Sequence, residues 1–183
     1  MTEQKGSDFV IRQAEQRDID GVELNYVTLI LNDKKTGPYT VFEIGVYPTR
    51  ATAQKALDEG ALYVMEQDEE ICASIIMNQY QPDEYGEIDW PCTAKPEEVL
   101  VIHLLCVKPT KARQGLGKQL VQFAQEEAKR RGYKAVRLDT GKQNVPAVSL
   151  YQKMGFAIAG TTYMQVGGAI PHEGHLFLEY KVQ

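Results

Sequence analysis

The chain has 183 residues, which is the length of one ordinary domain. Its composition, 43% hydrophobic and 25% charged, excludes intrinsic disorder as the main state. A formal net charge of −5 argues against nucleic acid as a partner, because nucleic-acid-binding proteins carry an excess of Lys and Arg. We therefore expect a single domain at residues 8–183, preceded by a short tail at residues 1–7.

The N-terminus and the cysteines both bear on localisation. Charged residues interrupt the first positions, where a signal peptide needs an apolar stretch. The longest apolar run, residues 99–107, is far shorter than the roughly 20 residues of a membrane span. Three widely spaced cysteines without a CxxC pair indicate neither a disulfide framework nor a metal site. We expect a cytoplasmic protein that binds no metal and no membrane.

Hydrophobic periodicity predicts alternating strands and helices, and hence an α/β fold with a mixed sheet. The segment at residues 79–98 contains three prolines and many acidic side chains and is predicted as a long loop insertion. Before it, the pattern predicts these segments: a strand at 9–12, a helix that Asp18 caps and that reaches Leu29, a loop or broken helix at 34–48, a helix from Thr49 to about Glu59, and strands at 61–66 and 71–78 joined by a four-residue turn.

Six elements are predicted after the insertion, and the first is nearly all apolar, as in a strand covered on both faces. They are bounded by glycine, proline or polar residues: a strand at 99–107, a helix at 115–131, a strand at 135–140, a helix at 145–154, and strands at 156–163 and 176–182. His172 and His175 then fall in a loop, and two histidines without a third ligand are a weak metal signal. The full order is β-α-α-β-β-β-α-β-α-β-β.

The most informative stretch is residues 101–123, where a buried strand leads through a glycine-containing loop into a helix. Gly115 and Gly117 let a ligand approach the backbone closely, and the first turn of the helix offers unbonded N–H groups to an anion. The segment 108–118 has no acidic residue and four basic ones: Lys108, Lys111, Arg113 and Lys118. These features favour a phosphate site over a solvated basic loop.

Two common nucleotide motifs do not match this loop. A dinucleotide-binding fingerprint needs a third glycine where the chain has Leu120. A P-loop needs Ser or Thr where the chain has Gln119, and a glycine where it has Ala112. Neither a Rossmann enzyme nor a P-loop enzyme is therefore expected.

Residues 112–117, ARQGLG, resemble the pyrophosphate loop of the GNAT superfamily of acyl-coenzyme A dependent N-acetyltransferases, written Q/R-x-x-G-x-G/A. Ala112 departs from that pattern, so a side-chain contact from this position is lost. Because the family's loop binds mostly through backbone N–H groups, we expect the cofactor site to remain. Residues 144–156 resemble the family's second motif, NxxAxxLYxxxGF, in order and spacing. The resemblance implies a GNAT-like, mostly antiparallel mixed sheet with helices on both faces.

The resemblance further implies acetyl-coenzyme A as co-substrate. The residues expected to bind it lie on the buried strand, the glycine loop and the second motif: Leu105, Cys106, Val107, Arg113, Gln114, Gly115, Leu116, Gly117, Lys118, Asn144, Ala147 and Tyr151. Pantetheine is expected to bond to the main chain at Leu105 and Val107. Asn144 is expected to hold a pantetheine amide, to cap the following helix, or both.

The family's mechanism implies direct attack of an amine on the thioester in a ternary complex, with the oxyanion held by a backbone N–H near Leu105. Tyr151 is expected to protonate the departing thiolate, and packing next to Leu150 is the alternative role. His103 is the first candidate for the general base, because its unperturbed pKa is about 6.5. A hydrogen-bonded core histidine and a water chain acting as base are the alternatives. An acyl-cysteine at Cys106 is disfavoured, since a buried thiol keeps a high pKa.

The insertion at residues 79–98 has six acidic residues against Lys95 alone. We expect it to cover part of the acceptor site and to favour a cationic amine, and the alternative is a solvated loop anchored by Trp90. The residues predicted to bind the acceptor are Tyr26, Glu87, Asp89 and Trp90. The acceptor class is a small amine, an amino acid or a peptide amine. A non-catalytic acyl-coenzyme A sensor is the alternative function, and a homodimer is left open.

Overall fold

The computed structural model describes residues 8–183, and its seven strands form one mixed sheet in the order β1-β2-β3-β4-β5-β7-β6. All neighbouring strands are antiparallel except β4 and β5, which are parallel. The predicted fold class and element order are confirmed. The elements are: β1 (Val10–Gln13), α1 (Ile19–Thr36), α2 (Arg50–Asp58), β2 (Leu62–Gln67), β3 (Glu70–Asn78), β4 (Val99–Val107), α3 (Leu116–Arg130), β5 (Ala135–Gly141), α4 (Val145–Lys153), β6 (Ala157–Val166) and β7 (Ile170–Lys181).

Two apolar clusters pack helices on opposite faces of the sheet. On one face, Ile19, Val22 and Tyr26 of α1 pack with Leu104 and Cys106 of β4. On the other face, the buried stripe of α3 contacts β3, β4 and β5. Burial of a large aliphatic side chain contributes about 1.5 to 3 kcal/mol, so these stripes hold both helix layers in place. Within residues 8–183, no helix is both long and apolar enough to cross a membrane.

The ladder between β4 and β5 is short. It pairs Val99–Ile102 with Ala135–Leu138, and both strands then continue without pairing to each other. A β-bulge marks the point of separation, because Ile76 of β3 pairs with Leu104 and its neighbour Met77 pairs with Ile102, which leaves His103 as the extra residue. The two strands therefore diverge beyond Ile102 and open a cleft at that end of the sheet.

Several element boundaries differ from the prediction for local reasons. The turn between β2 and β3 has two residues, Asp68 and Glu69, both with positive φ as in a type I′ hairpin turn. Helix α1 extends to Thr36. Asp18 does precede that helix, but its carboxylate makes no cap hydrogen bond and instead accepts from Arg12 and the Glu15 N–H.

The last hairpin is longer than predicted. Strand β7 begins at Ile170, so His172 and His175 lie in a strand and not in a loop. Gly167 and Gly168 adopt positive φ and make the turn from β6, which the sequence pattern did not single out. Pro171 is tolerated there because the pairing of β7 with β5 begins only at His175.

The insertion at residues 79–98 is anchored by a buried ion pair. Arg137 Nε lies 2.8 Å from Glu179 Oε2, and the two side chains are only 6% and 2% exposed. Both groups also bond to the insertion, since Glu179 accepts from the Cys92 N–H and Arg137 donates to the Cys92 carbonyl and to Gln81 Oε1. The Arg137 guanidinium lies 4.3 Å from the centre of the Trp90 ring. The segment is therefore held against β5 and β7.

This pair predicts a large effect on stability. Glu179→Gln should lower the free energy of unfolding by roughly 3 to 5 kcal/mol, because it leaves the Arg137 charge buried without its partner. The double variant Arg137→Met with Glu179→Leu should recover much of that loss. Urea denaturation followed by circular dichroism measures both. Arg50→Gln, at an exposed ion pair with Asp20, is the control and should barely move the midpoint; an equally small shift for Glu179→Gln would contradict the anchoring role.

Candidate active site

A cavity of about 760 Å³ opens where β4 and β5 diverge. Its size lies within the range of sites for cofactors and drug-sized ligands. Its walls include the end of β4, the glycine loop, the start of α3, one side of α4 and the second half of α1. Most of the residues expected to bind acetyl-coenzyme A line this cavity: Leu105, Val107, Arg113, Gly115, Leu116, Gly117, Lys118, Asn144, Ala147 and Tyr151. We call it the donor cavity.

Two of the expected residues do not line the donor cavity. Cys106 is fully buried on the opposite face of β4, and that burial raises the pKa of its thiol to about 12. Its side chain therefore neither contacts a ligand in this cavity nor acts as a thiolate nucleophile. Gln114 is exposed on the loop outside the lining residues.

The glycine loop needs glycine for two different reasons. Gly115 immediately precedes α3 with φ +81°, a conformation that a side chain strains. Gly117 lies in the first turn, where an added Cβ would come within 3.3 Å of the Leu150 side chain on α4. The loop can therefore lie close to α4 while the N-terminal end of α3, with its unbonded backbone N–H groups, opens on the cavity.

The basic charge around the donor cavity is distributed differently from the prediction. Lys108 pairs with Glu70 and points away from the cavity. Lys111 donates to Gln67 and also lies 3.7 Å from Glu70. Arg113 and Lys118, by contrast, have no ion-pair partner among residues 8–183.

Lys153, on α4, adds a positive charge that the sequence analysis missed. It lines the donor cavity and, like Arg113 and Lys118, is unpaired among the described residues. Its position in the second motif gave no signal, because the contact between α4 and the glycine loop depends on the tertiary fold. The cavity wall therefore carries three unpaired cations: Arg113 on the loop, Lys118 in the first turn of α3 and Lys153 on α4.

A second cavity, of about 310 Å³, meets the donor cavity at the point of strand divergence. We call it the acceptor cavity. Its walls come from residues 39–47, from the start of the insertion at residues 80–84, and from the turn between β6 and β7. Residues that line both cavities mark their junction: Tyr39, Thr40, Phe42, His103, Asp139, Thr140 and Asn144. Two ligands, one from each cavity, can therefore meet next to His103 and Asp139.

His103 is half-buried at the junction. Its Nε2 lies 2.6 Å from Asn78 Oδ1, which also accepts the Tyr80 N–H, and its ring stacks on Tyr80 with centroids 6.0 Å apart. Burial lowers the pKa of His103 below its usual 6.5. The imidazole is therefore neutral at neutral pH, which is the form that a general base requires.

Asp139 is a junction residue that the sequence analysis missed. One of its carboxylate oxygens accepts the Tyr85 hydroxyl at 2.9 Å, and the other lies 3.3 Å from His175 Nε2. His175 Nδ1 in turn lies 2.7 Å from His172 Nδ1. In the sequence, Asp139 is marked only by its position near the end of a predicted strand, five residues before Asn144. That position does not indicate that its side chain faces a cavity.

Tyr151 and Asn144 hold the α4 side of the site. Tyr151 is buried, lines the donor cavity and packs edge-on against Phe156 at 5.6 Å between ring centroids. Burial, with a smaller effect from the negative charge of Asp139, raises the pKa of Tyr151 well above its usual value of 10. Its hydroxyl therefore stays protonated. Asn144 Oδ1 accepts the Ala147 N–H and so caps α4.

Four residues that were predicted to bind the acceptor lie elsewhere. Tyr26, on α1, is 1% exposed and packs in the core between that helix and the sheet. Trp90 packs against Tyr85, Phe177 and Arg137, which is the anchoring role given as its alternative. Glu87 accepts from Thr162, and Asp89 is exposed. None of the four lines either cavity, and the insertion instead contributes other residues to the acceptor cavity: Tyr80, Pro82, Asp83 and Glu84.

Comparison with known proteins identifies the family. The family model described as "Acetyltransferase (GNAT) family" matches residues 28–156, so the chain belongs to this family, as its two motifs indicated. It is 39% identical over 64 residues to the uncharacterized N-acetyltransferase YvbK of Bacillus subtilis, covering 35% of this chain and 41% of that protein. It is 30% identical over 103 residues to the streptothricin acetyltransferase of Escherichia coli, covering 56% and 51%. Across five curated relatives the match spans between 31% and 57% of their length.

The fold is also shared with solved structures. An acetyltransferase of Salmonella typhimurium, yncA, whose structure was determined with its cofactor acetyl-CoA, superposes with a TM-score of 0.66 at 16% identity. The superposition covers 97% of this chain and 95% of that chain. At this low identity the likeness shows a common fold.

The charge distribution predicts which cations bind coenzyme A. Arg113→Gln and Lys118→Gln should each weaken coenzyme A binding about tenfold, because each removes an unpaired charge at the cavity mouth. Isothermal titration calorimetry at two salt concentrations measures the dissociation constants. Lys108→Gln is the matched control from the same segment, and its Kd should stay within about twofold because Lys108 pairs with Glu70. Equal losses in all three variants would contradict this assignment.

Proposed function

We propose that this protein transfers the acetyl group of acetyl-coenzyme A to a primary amine. The observation that carries the proposal is the junction of two cavities beside His103 and Asp139. One cavity has the size and the unpaired cations that a phosphate-bearing donor needs, and the other is small and acidic. Membership of the GNAT acetyltransferase family supports the same reaction.

The end of β4 supports binding of the donor as an extended chain. Beyond Ile102 this strand has no ladder with β5, so its backbone groups on that side are available to a ligand. In the proposal, the pantetheine amides bond to the main chain at Leu105 and Val107, and the phosphates lie at Gly115 and Gly117. The thioester then lies near the junction, within reach of an amine in the acceptor cavity.

The proposed reaction is direct transfer in a ternary complex. The amine nitrogen attacks the thioester carbonyl carbon, and a backbone N–H near Leu105 stabilises the oxyanion that forms. Collapse of this intermediate breaks the C–S bond and releases the thiolate. Tyr151 donates its proton to that thiolate, while the proton lost by the amine passes to a base at the junction.

The base is proposed to be His103, acting directly or through a chain of water. Its neutral imidazole lines both cavities, which supports this role. Asp139 is a second candidate at the same junction, because its carboxylate also lines both cavities. Removal of each side chain in turn distinguishes the two.

Release of free thiol from acetyl-coenzyme A, followed with a chromogenic reagent across a panel of small amines, amino acids and peptides, tests the proposed activity. Mass spectrometry identifies the acetylated product. Turnover that depends on an amine supports the proposal. Tight binding of acetyl-coenzyme A without turnover on any amine would instead support the alternative, a non-catalytic sensor of acyl-coenzyme A.

The acid role predicts a selective loss in Tyr151→Phe. The kcat should fall about a hundredfold, because the thiolate must leave without a proton donor, while the KM for acetyl-coenzyme A stays within about twofold. Steady-state kinetics measure both values. Tyr133→Phe, which lies beyond the end of α3 and lines neither cavity, is the control and should match the wild type. Full retention of kcat in Tyr151→Phe would remove Tyr151 from the acid role.

The base role predicts a pH dependence with a definite sign. Burial lowers the pKa of His103, so its neutral form is present at pH 7 and kcat should fall only as the pH drops below about 6.5. His103→Gln should lower kcat about a hundredfold at pH 7. It should also abolish the fall of kcat at low pH, which is the acid limb of the pH profile. If the limb survives in His103→Gln and disappears in Asp139→Asn, the base is Asp139.

A further inference from the structure

The chemical character of the acceptor cavity restricts the amine further, and this inference rests on the proposed function. At about 310 Å³ the cavity is at the small end of ligand sites, which suits a small molecule or one extended side chain. Among the described residues that line it there are three carboxylates and no Lys or Arg. A carboxylate on the acceptor would therefore meet repulsion and find no counter-ion, whereas a cation would be attracted.

The three carboxylates lie at different depths. Asp139 lines both cavities and so lies at the junction, where the reacting nitrogen must be. Asp83 and Glu84 line the acceptor cavity alone, away from the donor. An acceptor that reaches from the junction to these two residues meets negative charge at each end.

Of the distant pair, Glu84 is held in place by a hydrogen bond, and neither carboxylate is neutralised by a basic side chain. Glu84 Oε1 accepts the Gln165 N–H at 3.0 Å, which ties the insertion to β6. Asp83 is exposed and makes no hydrogen bond or ion pair with any residue of the described part of the chain. Neither carboxylate has a basic partner there, so their charge remains available to a ligand.

Aromatic rings form much of the remaining wall. Phe42 and Tyr47 pack edge-on with centroids 5.6 Å apart, and Tyr80 and Tyr39 line other parts of the cavity. Aromatic faces attract ammonium groups and also cover the methylene groups between them. This combination suits a flexible aliphatic chain that carries charge at its ends.

We propose that the acceptor is an aliphatic diamine or polyamine without a carboxylate, with one nitrogen at the junction and a second ammonium at Asp83 and Glu84. The bound amine enters as an ammonium and loses one proton to the base before its nitrogen attacks. As the amide N–C bond forms and the C–S bond breaks, the nitrogen loses its second proton to the base, which has passed the first to solvent. Tyr151 gives its proton to the thiolate, which leaves as free thiol. The second ammonium keeps its proton throughout.

Three amines of equal chain length test the charge requirement: 1,5-diaminopentane, pentylamine and 5-aminopentanoate. The kcat/KM for the diamine should exceed that for pentylamine by about tenfold, and 5-aminopentanoate should be the poorest of the three. Equal kcat/KM for the diamine and pentylamine, or a preference for 5-aminopentanoate, would overturn the inference while leaving acetyl transfer intact. No turnover on any amine would instead contradict the proposed function itself.

Charge-removing variants locate the second ammonium. In Asp83→Asn with Glu84→Gln, the ratio of kcat/KM for diamine to pentylamine should fall to about one, while the KM for acetyl-coenzyme A stays within about twofold because neither residue lines the donor cavity. Glu97→Gln, an exposed acidic residue of the same insertion that lines neither cavity, is the matched control and should keep the wild-type ratio. A ratio that stays at the wild-type value in the double variant would rule out Asp83 and Glu84 as the site of the second charge.

Discussion

The parallel pairing of β4 and β5 ends at Ile102 and Leu138, and the rest of the site depends on that ending. Backbone groups of a central strand must bond to something, so the unpaired end of β4 needs water or a ligand as its partner. The bulge at His103 lies at this point and shifts the alternation of side chains along β4. Leu104 and Cys106 therefore pack in the cluster with α1, while Leu105 and Val107 pack on the side of α3. Leu104, Leu105 and Val107 all line the donor cavity, and Cys106 does not.

The donor cavity has unpaired basic side chains and the acceptor cavity has acidic ones. The net charge of −5 shows neither group. Outside the donor cavity, Glu70 forms an ion pair with Lys108 and lies 3.7 Å from Lys111, so the segment 108–118 offers fewer unpaired cations to a ligand than the sequence suggests. In the acceptor cavity, Asp83 and Glu84 have no basic partner among the described residues. The two ligands of the proposed reaction therefore enter regions of opposite sign that meet at one edge of the sheet.

Local patterns predicted the elements and the glycine loop, because periodicity and helix ends are properties of neighbouring residues. The junction could not be predicted in this way. Asp139 faces the cavities because its strand separates from β4, and Lys153 reaches the donor mouth because α4 packs near Gly117. The position of Trp90, which lines neither cavity, could not be predicted for the same reason, since it packs against Arg137, 47 residues away in sequence.

The insertion both packs against the sheet and forms one wall of the acceptor cavity, whereas binding residues more often lie on a mobile loop supported by a separate rigid scaffold. Its later part is fixed at Cys92 and Trp90 by the buried pair of Arg137 and Glu179. Its earlier part is tied to β6 through Glu84 and forms one wall of the acceptor cavity. Because both parts are held by bonds to the sheet, this wall keeps its shape before a ligand arrives. Less conformational entropy is then lost on binding, and the charge and length of the amine, more than closure of a loop, become the basis of selection.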